Sequence, residues 1–162
     1  MTRLSTVELL QDAFSFSAGH FTIFSATERE NLHGHNYHVN LEMKVDLGND
    51  GLAFDYRIYK KKLMTICEGL NHRFLLPDRS KHLRIEDAGD MWIAHFDQDR
   101  IPFLKKDVII LPICNVTIEE LSYWFLQQLT VNQTELASHH ILEITVRVFN
   151  GPGQASAAYW KK

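Results

Sequence analysis

The sequence is poor in cysteine and proline, and it has no long hydrophobic run. Among its 162 residues are two cysteines and four prolines. Two cysteines do not make a disulfide framework, and Cys67 and Cys114 both stand beside apolar residues, so we expect them to be reduced and structural. No stretch approaches the length that spans a bilayer, and the first twenty residues lack the apolar segment of a secretory signal. These absences predict a cytoplasmic protein that does not associate with membranes.

A charge excess of one sign is also missing. The 17 Lys and Arg face 20 Asp and Glu, which gives a net charge of −3 and no basic patch. The sequence therefore does not predict a nucleic-acid partner. The composition is that of an ordinary globule, and the length suffices for one domain with a proper core. We expect a single domain over residues 1–162.

Alternating polarity predicts a strand over residues 33–47. From Tyr37 onward the odd-numbered residues are apolar and the even-numbered residues are polar, which is typical of a strand with one buried face. Side chains two residues apart point the same way, so His33 and His35 lie on the apolar face and His38 faces out. Two imidazoles directed at one spot favour a metal ligand pair over two unrelated core histidines.

A third histidine belongs to the preceding strand, which we place at residues 8–20. Alternate residues from Phe14 to His20 fall on one face of that strand. If the two strands pair antiparallel, His20 can converge with His33 and His35. Three imidazoles without a fourth protein ligand are the arrangement of a catalytic zinc, whose open position receives water or substrate. The sequence therefore predicts Zn²⁺ as the cofactor.

Two helices are predicted in the middle of the chain. The first begins at Asp55 and ends near Gly69, because apolar residues recur there at helical spacing: Tyr59, Leu63, Ile66 and Leu70. The second follows Thr117, which forms a capping-box pattern with Glu120 ahead of an apolar stripe.

The remaining chain completes an α+β pattern. Two strands are expected near the end, and the long segment between the helices is interpreted as an inserted hairpin or flap at about 79–111; the strand candidates are residues 92–96, 108–111, 142–150 and 155–160. The order is strand, strand, helix, insertion, helix, strand, strand, with both helices on one face of a four-stranded antiparallel sheet. The edges of so short a sheet are commonly paired with neighbouring copies.

Six segments, spread over most of the chain, carry a resemblance to a known family: 16–20, 33–37, 51–56, 70–72, 117–121 and 152–154. Their sequences and order resemble the 6-pyruvoyltetrahydropterin and 6-carboxytetrahydropterin synthases. The resemblance implies the tunnelling fold (T-fold), zinc bound by His20, His33 and His35, and a pterin substrate. It also implies a homo-oligomer, a hexamer built from trimers, with active sites at subunit interfaces.

The catalytic base departs from the family pattern. The family commonly has a cysteine four residues before the first histidine of its His-Gly-His motif, where this sequence has Arg29. Glu28 and Glu30 flank that position, and some relatives use a glutamate near it to cleave the pterin side chain toward a hydroxymethyl product. Either carboxylate could serve as a base if burial raises its pKa toward neutrality, or both could be loop surface.

A second departure concerns the proton relay. The family commonly has an aspartate before the histidine at the end of the first helix, and this sequence has Asn71 before His72. An asparagine can orient an imidazole but cannot supply the charge that stabilises an imidazolium. His72 is a candidate proton carrier, or else a helix-end histidine that hydrogen-bonds a carbonyl.

The third departure lies in substrate binding. Relatives hold the guanidine-like edge of the pterin with a glutamate at the end of the penultimate strand, where this sequence has Asn150. Its hydrogen bonds to the pterin would lack the assistance of a charge. Glu119, with Thr117, matches another pterin-contacting position, although a first-turn carboxylate also favours a helix N-terminus in general.

Three functional hypotheses follow. The first is a zinc-dependent lyase that acts on dihydroneopterin triphosphate and resembles the 6-carboxy- or 6-pyruvoyl-tetrahydropterin synthases. The second is aldol-type cleavage of the dihydroneopterin side chain by Glu28 or Glu30. The third is an oligomer that binds zinc and a pterin without catalysis. Relatives serve queuosine, tetrahydrobiopterin and folate synthesis, so the pathway stays open.

Overall fold

The computed structural model describes residues 3–49 and 51–162, which form strands and helices in an α+β arrangement. The strands are β1 (Leu4–Leu9), β2 (Ser15–His20), β3 (His33–Asp46), β4 (Arg73–Pro77), β5 (Arg84–Ala88), β6 (Met91–Phe96), β7 (Asp99–Leu104), β8 (Val108–Leu111), β9 (Ile141–Phe149) and β10 (Ala155–Lys161). The α-helices are α1 (Arg57–Leu70), α2 (Ile118–Thr130) and α3 (Gln133–Ser138), and a short 3₁₀ helix covers Lys105–Asp107. None of these helices is long and apolar enough to cross a membrane.

The long strand β3 organises the main sheet. The sheet order is β10-β9-β3-β2-β4-β8, and β1 also pairs with β3. The predicted strand at 8–20 is wrong in its bounds, since β1 and β2 pair with β3 separately. Leu9 lies opposite Leu41, and Ser15 lies opposite His38. Five residues, 10–14, therefore correspond to only two residues of β3, 39–40, and they form a bulge between β1 and β2. The predicted strands at 33–47, 142–150 and 155–160 are confirmed as β3, β9 and β10.

In the described residues, the main sheet has seven strands rather than the four predicted. Besides β1, it gains β4, which runs parallel to β2, and β8, which runs parallel to β4. Leu75 and Leu76 are neighbours in β4, and both are fully buried. A strand buried on both faces shows no polar alternation, which is the signal that the prediction relied on.

The segment between α1 and α2 contains a second, smaller sheet. It is not a simple hairpin, because β5, β6 and β7 form a three-stranded antiparallel sheet and β8 returns to the main sheet. This three-stranded sheet packs on the chain that connects β2 to β3 through its own apolar cluster: Phe21, Ile23, Leu76, Leu83, Ala94, Phe96 and Val108. The connection that carries the candidate base is therefore part of a packed core.

The helices cover the apolar face of the main sheet. Leu63 of α1 and Phe125 of α2 are fully buried in the same cluster as Leu41 of β3. Cys67 is buried in that cluster and its burial raises the pKa of the thiol to about 12, whereas Cys114 is exposed; both are free thiols.

The predicted caps are partly confirmed. Thr117 caps α2, because its hydroxyl accepts the Glu120 N–H at 3.3 Å. The reciprocal half of the capping box is absent, since the Glu120 carboxylate accepts the Cys114 N–H at 2.9 Å instead. Helix α1 begins at Arg57, two residues after the predicted start, and Asp55 accepts the Arg57 N–H at 3.0 Å.

Candidate metal and catalytic site

The pairing of β2 with β3 brings the three predicted histidines together. His20 lies directly opposite His33, and Ala18 lies opposite His35. One ring nitrogen from each histidine lies within 4.8 Å of the other two. The ring centroids are 4.6 Å apart for His20 and His33, and 4.8 Å apart for His33 and His35. The alternation of side chains along two paired strands is enough to create this cluster.

Backbone carbonyls orient two of these imidazoles. The Nδ1 of His20 lies 2.8 Å from the carbonyl oxygen of Val116, and the Nδ1 of His33 lies 2.7 Å from that of Asn31. A carbonyl only accepts, so each Nδ1 carries the proton and each Nε2 presents a lone pair to the cluster. Such a second hydrogen bond is the usual support of a metal-binding histidine.

The donor atoms fit a zinc ion. The Nε2 of His20 is buried and has no hydrogen-bond partner in the described residues, a state that costs about 1–3 kcal/mol. The Nε2 atoms of His33 and His35 are 3.1 Å apart. Two nitrogens bound to a tetrahedral zinc at the usual bond length would be about 3.3 Å apart. The cluster therefore has the donor chemistry and the spacing for a zinc ion.

The local environment favours the neutral form of two of the ligands, His20 and His35. Burial lowers the pKa of His20, and the nearby His33 lowers it further. Burial and His33 also lower the pKa of His35. Beneath them, burial raises the pKa of Tyr37 above its ordinary value, so its phenol stays protonated. Neutral imidazoles are the form that binds a metal, so little proton release is needed at neutral pH.

Glu30 is directed at this cluster. Its Oε2 lies 3.8 Å from the Nε2 of His33 and accepts the Thr22 N–H at 2.9 Å. Its own N–H donates to the Thr22 carbonyl at 2.9 Å. Partial burial raises the pKa of Glu30, but the hydrogen bonds from Thr22 outweigh it and the net shift is downward. The condition considered for a glutamate base, a pKa raised toward neutrality by burial, is therefore not met at Glu30, which is ionised at neutral pH.

Glu28 lies elsewhere, in the turn of the connection between β2 and β3. Its carbonyl accepts the N–H groups of Phe24 and Ser25, at 2.9 and 3.1 Å, which closes the turn. Its side chain is exposed, and its carboxylate forms no ion pair or hydrogen bond with the described part of the chain. Glu28 and Glu30 would lie on the same face of a regular strand, but the turn separates them. Of the two, Glu30 is the one that lies near the histidines.

His72 does not join the three-histidine cluster within one chain. It follows α1 with a positive φ of 58°, and its N–H donates to the Ser17 carbonyl at 2.7 Å. Its side chain is exposed and lines an open cleft of about 480 Å³ beside Arg73 and Asp107. Asn71 serves the fold, since its Oδ1 accepts the Ser17 N–H at 2.8 Å.

The predicted substrate residues differ in their exposure to solvent. Thr117 is occupied as the cap of α2, and Glu119 is exposed in the first turn of that helix. Asn150 is half-buried and directly follows β9. The last residue pair of β9 with β3 is Phe149 with His38, so one further pair in the same register would place Asn150 opposite Tyr37.

Sequence reasoning missed Thr22 and the carbonyl of Val116, which hold Glu30 and His20. Both act through the backbone, so no side-chain signal could have identified them.

The sequence and the fold both match a known protein family. The model of the 6-pyruvoyl tetrahydropterin synthase family matches residues 9–161. The chain belongs to this family. The resemblance inferred from six short segments is confirmed, and so is the T-fold, because solved pterin synthases superpose over nearly the whole chain.

Three relatives show the extent of the likeness. A protein of Methanocaldococcus jannaschii, assigned as a 6-carboxy-5,6,7,8-tetrahydropterin synthase, is 27% identical over 148 residues, covering 91% of this chain and 90% of the relative. The Plasmodium falciparum 6-pyruvoyl tetrahydropterin synthase is 31% identical with a TM-score of 0.92, over 98% of this chain and 99% of that one. A Plasmodium vivax synthase in which a catalytic glutamate is replaced by alanine gives 29% identity and a TM-score of 0.93, over 99% of each chain.

Proposed function

We propose that this protein is a zinc-dependent pterin lyase in which Glu30 is the catalytic base. Its substrate would be dihydroneopterin triphosphate or dihydroneopterin. The observation that carries the proposal is the distance of 3.8 Å between Oε2 of Glu30 and Nε2 of His33. A carboxylate lies beside a three-histidine cluster in a pterin synthase scaffold, and the β2–β3 connection that carries it contains no cysteine.

His20, His33 and His35 would hold the metal, and the unpartnered Nε2 of His20 is the strongest support for this role. Zinc bound there would supply an open position that gathers the side-chain hydroxyls of the pterin and lowers their pKa. His20 is fixed by Val116 at the start of α2, so the ligand cluster is connected to the segment with Thr117 and Glu119. We assign these two residues and Asn150 to pterin binding.

The ordinary basicity of a carboxylate indicates which proton Glu30 removes. A weakly basic carboxylate is poorly matched to a carbon acid, but it can accept the proton of a hydroxyl whose pKa has been lowered. Loss of the proton from the second side-chain hydroxyl would break the adjacent carbon–carbon bond. The bonding electrons are delocalised into the pterin ring, and the side-chain carbon that stays attached to the ring then accepts a proton, which Glu30 can return. The remaining two carbons leave as an aldehyde. The products are a hydroxymethyl pterin and a two-carbon aldehyde.

The Plasmodium vivax synthase supports a carboxylate base, because one of its solved variants replaces a catalytic glutamate. A 6-carboxytetrahydropterin synthase activity is the second candidate, and the Methanocaldococcus jannaschii relative favours it. The two candidates differ in the group left on the pterin, which product mass distinguishes.

We also propose a homo-oligomer, a hexamer of two trimers, with active sites completed between subunits. Strands β8 and β10 end the main sheet in the described residues, and their unpaired backbone groups could extend it into a neighbouring copy. His72 would then serve the site of another subunit as a proton carrier, since it lies apart from the histidine cluster of its own chain.

The test compares two carboxylates of the same connection. Zinc-loaded wild-type protein, Glu30→Gln and Glu28→Gln are incubated with dihydroneopterin triphosphate and with dihydroneopterin. The proposal expects Glu30→Gln to lose at least about 100-fold in kcat, as is typical for general bases, and Glu28→Gln to retain wild-type turnover. Equal activity of Glu30→Gln and wild type would exclude Glu30 as the base.

A further inference from the structure

Arg29 is held between the three-stranded sheet and Phe21 of its own connection. Its Nε and Nη2 donate to one oxygen of Asp99, Oδ2, at 3.1 and 2.5 Å. The guanidinium carbon lies 5.2 Å from the ring centroid of Phe21 and 5.7 Å from that of Phe96. Its side chain is only 16% exposed, although it carries a charge. Asp99 begins β7 and Phe96 ends β6, so the β6–β7 turn meets Arg29 directly.

The same guanidinium also reaches the candidate base. Its Nη1 donates to the carbonyl oxygen of Glu30 at 2.8 Å. The N–H of Glu30 is bound by the carbonyl of Thr22, and its Oε2 by the N–H of Thr22. Both backbone polar groups of Glu30 and one carboxylate oxygen are therefore fixed. The contact to the Glu30 carbonyl comes from Arg29, which Asp99 and Phe96 contact from outside the β2–β3 connection.

We propose that the Arg29–Asp99 pair positions Glu30 for catalysis, so that the three-stranded sheet acts on the active site through Arg29. This inference rests on the proposed function, in which Glu30 is the base. The planar guanidinium donates in two directions at once, to Asp99 and to the Glu30 carbonyl. A lysine ammonium lacks this rigid fork, so an exchange of arginine for lysine should not preserve both contacts. Arg29 and Asp99 are positioning residues and contact no reacting atom.

The chain offers a matched control in the same sheet. Lys105 and Asp87 form an ion pair at 2.5 Å, as Arg29 and Asp99 do, and Lys105 lies over the ring of Trp92. The side chains of Asp87 and Asp99 are 60% and 52% exposed, so replacing either one by alanine perturbs the core little. Within the described residues, the Lys105–Asp87 pair forms no hydrogen bond or ion pair with the segment that carries Glu30. The two substitutions therefore differ in their connection to the base.

The experiment measures Asp99→Ala, Arg29→Lys and Asp87→Ala for kcat, KM and zinc content. A displacement of the catalytic group by about 1 Å costs about 100-fold, so we expect Asp99→Ala and Arg29→Lys to lower kcat between about 10-fold and 100-fold. Their KM and zinc content should stay at wild-type values, and Asp87→Ala should match wild type throughout. Equal kcat for Asp99→Ala and Asp87→Ala would overturn the inference, as would a loss confined to KM or zinc.

A second readout does not depend on turnover. Hydrogen–deuterium exchange over residues 22–31 should be faster in Asp99→Ala than in wild type and unchanged in Asp87→Ala. Unchanged exchange in both variants would contradict the positioning role. Glu30→Gln separates the two proposals: if it is inactive while Asp99→Ala equals wild type, only the positioning role fails. If Glu30→Gln is fully active, the proposed base and its positioning fail together.

Discussion

The side chains of Arg29 and Glu30 are adjacent in sequence but point to opposite sides of the connection between β2 and β3. Glu30 places Oε2 3.8 Å from Nε2 of His33, whereas Arg29 places Nη2 2.5 Å from Oδ2 of Asp99. The position at which the resemblance expects a cysteine is thus turned away from the histidines. The next residue along the chain faces them, and it carries a carboxylate.

The glycine between His33 and His35 is expected to be indispensable to the cluster. Gly34 pairs with Gly19, and a Cβ on Gly34 would lie 2.9 Å from the carbonyl oxygen of Ala18. Backbone cannot move aside as a flexible side chain can, so Gly34→Ala must push β2 away from β3. We expect a loss of about 1–3 kcal/mol in the free energy of unfolding, measured by denaturant titration, together with weaker zinc binding. Unchanged stability would contradict this packing.

Removal of one ligand should remove the metal. His35→Ala leaves two imidazoles, and we expect zinc content to fall far below one ion per chain while activity is lost. The control is His38→Ala, because His38 lies on the opposite face of β3 and packs near Phe149. Metal analysis after dialysis measures both variants. Full zinc content in His35→Ala would show that the three-histidine site is misassigned.

The metal-free protein should lose stability in mild acid. Burial lowers the pKa of His20 below the ordinary value of 6.5. Below pH 6.5 the unfolded chain therefore binds a proton at His20 that the folded chain does not, and the free energy of unfolding falls as pH falls. Thermal unfolding between pH 7.5 and 5.5 measures this, with His20→Gln as the control that should show a smaller dependence. If the stability of the metal-free wild type had the same pH dependence as that of His20→Gln, the lowered pKa of His20 would not be the cause of the acid sensitivity.

Replacement of Asn150 by a charged glutamate should tighten pterin binding. Asn150 is half-buried directly after Phe149, which pairs with His38, and as an amide it forms only neutral hydrogen bonds. A charge-assisted hydrogen bond is roughly twice as strong as a neutral one, so Asn150→Glu should lower the Kd for a pterin. Asn150→Gln has the same length without the charge and should not. Calorimetric titration measures both, and equal affinity in the two variants would mean that the pterin lies elsewhere.

The sequence was sufficient to predict those parts of the site that depend on the alternation of side chains along a strand. His20, His33 and His35 lie on alternate positions of two strands, so their shared face follows from backbone geometry. The T-fold was also accessible, because several motifs of the family are present in order. Strand β4 was missed because a strand buried on both faces shows no alternation.

The orientation of the side chains in the β2–β3 connection could not be predicted from the sequence. Glu28 and Glu30 are equivalent by spacing, and only the turn around Glu28 and the bridge between Ile23 and Arg29 separate them. Arg29 is fixed by Asp99, a residue 70 positions away. Contacts over such a distance leave no mark in the local sequence pattern.

The most direct test of the account is the identity of the product. Zinc-loaded protein is incubated with dihydroneopterin triphosphate and, separately, with dihydroneopterin, and the products are identified by mass, with the metal-free protein as the blank. The account predicts zinc-dependent release of a hydroxymethyl pterin and a two-carbon aldehyde, which carries the triphosphate when the substrate does. A pterin that carries a carboxyl or pyruvoyl group, or no product from either substrate, would contradict cleavage by Glu30.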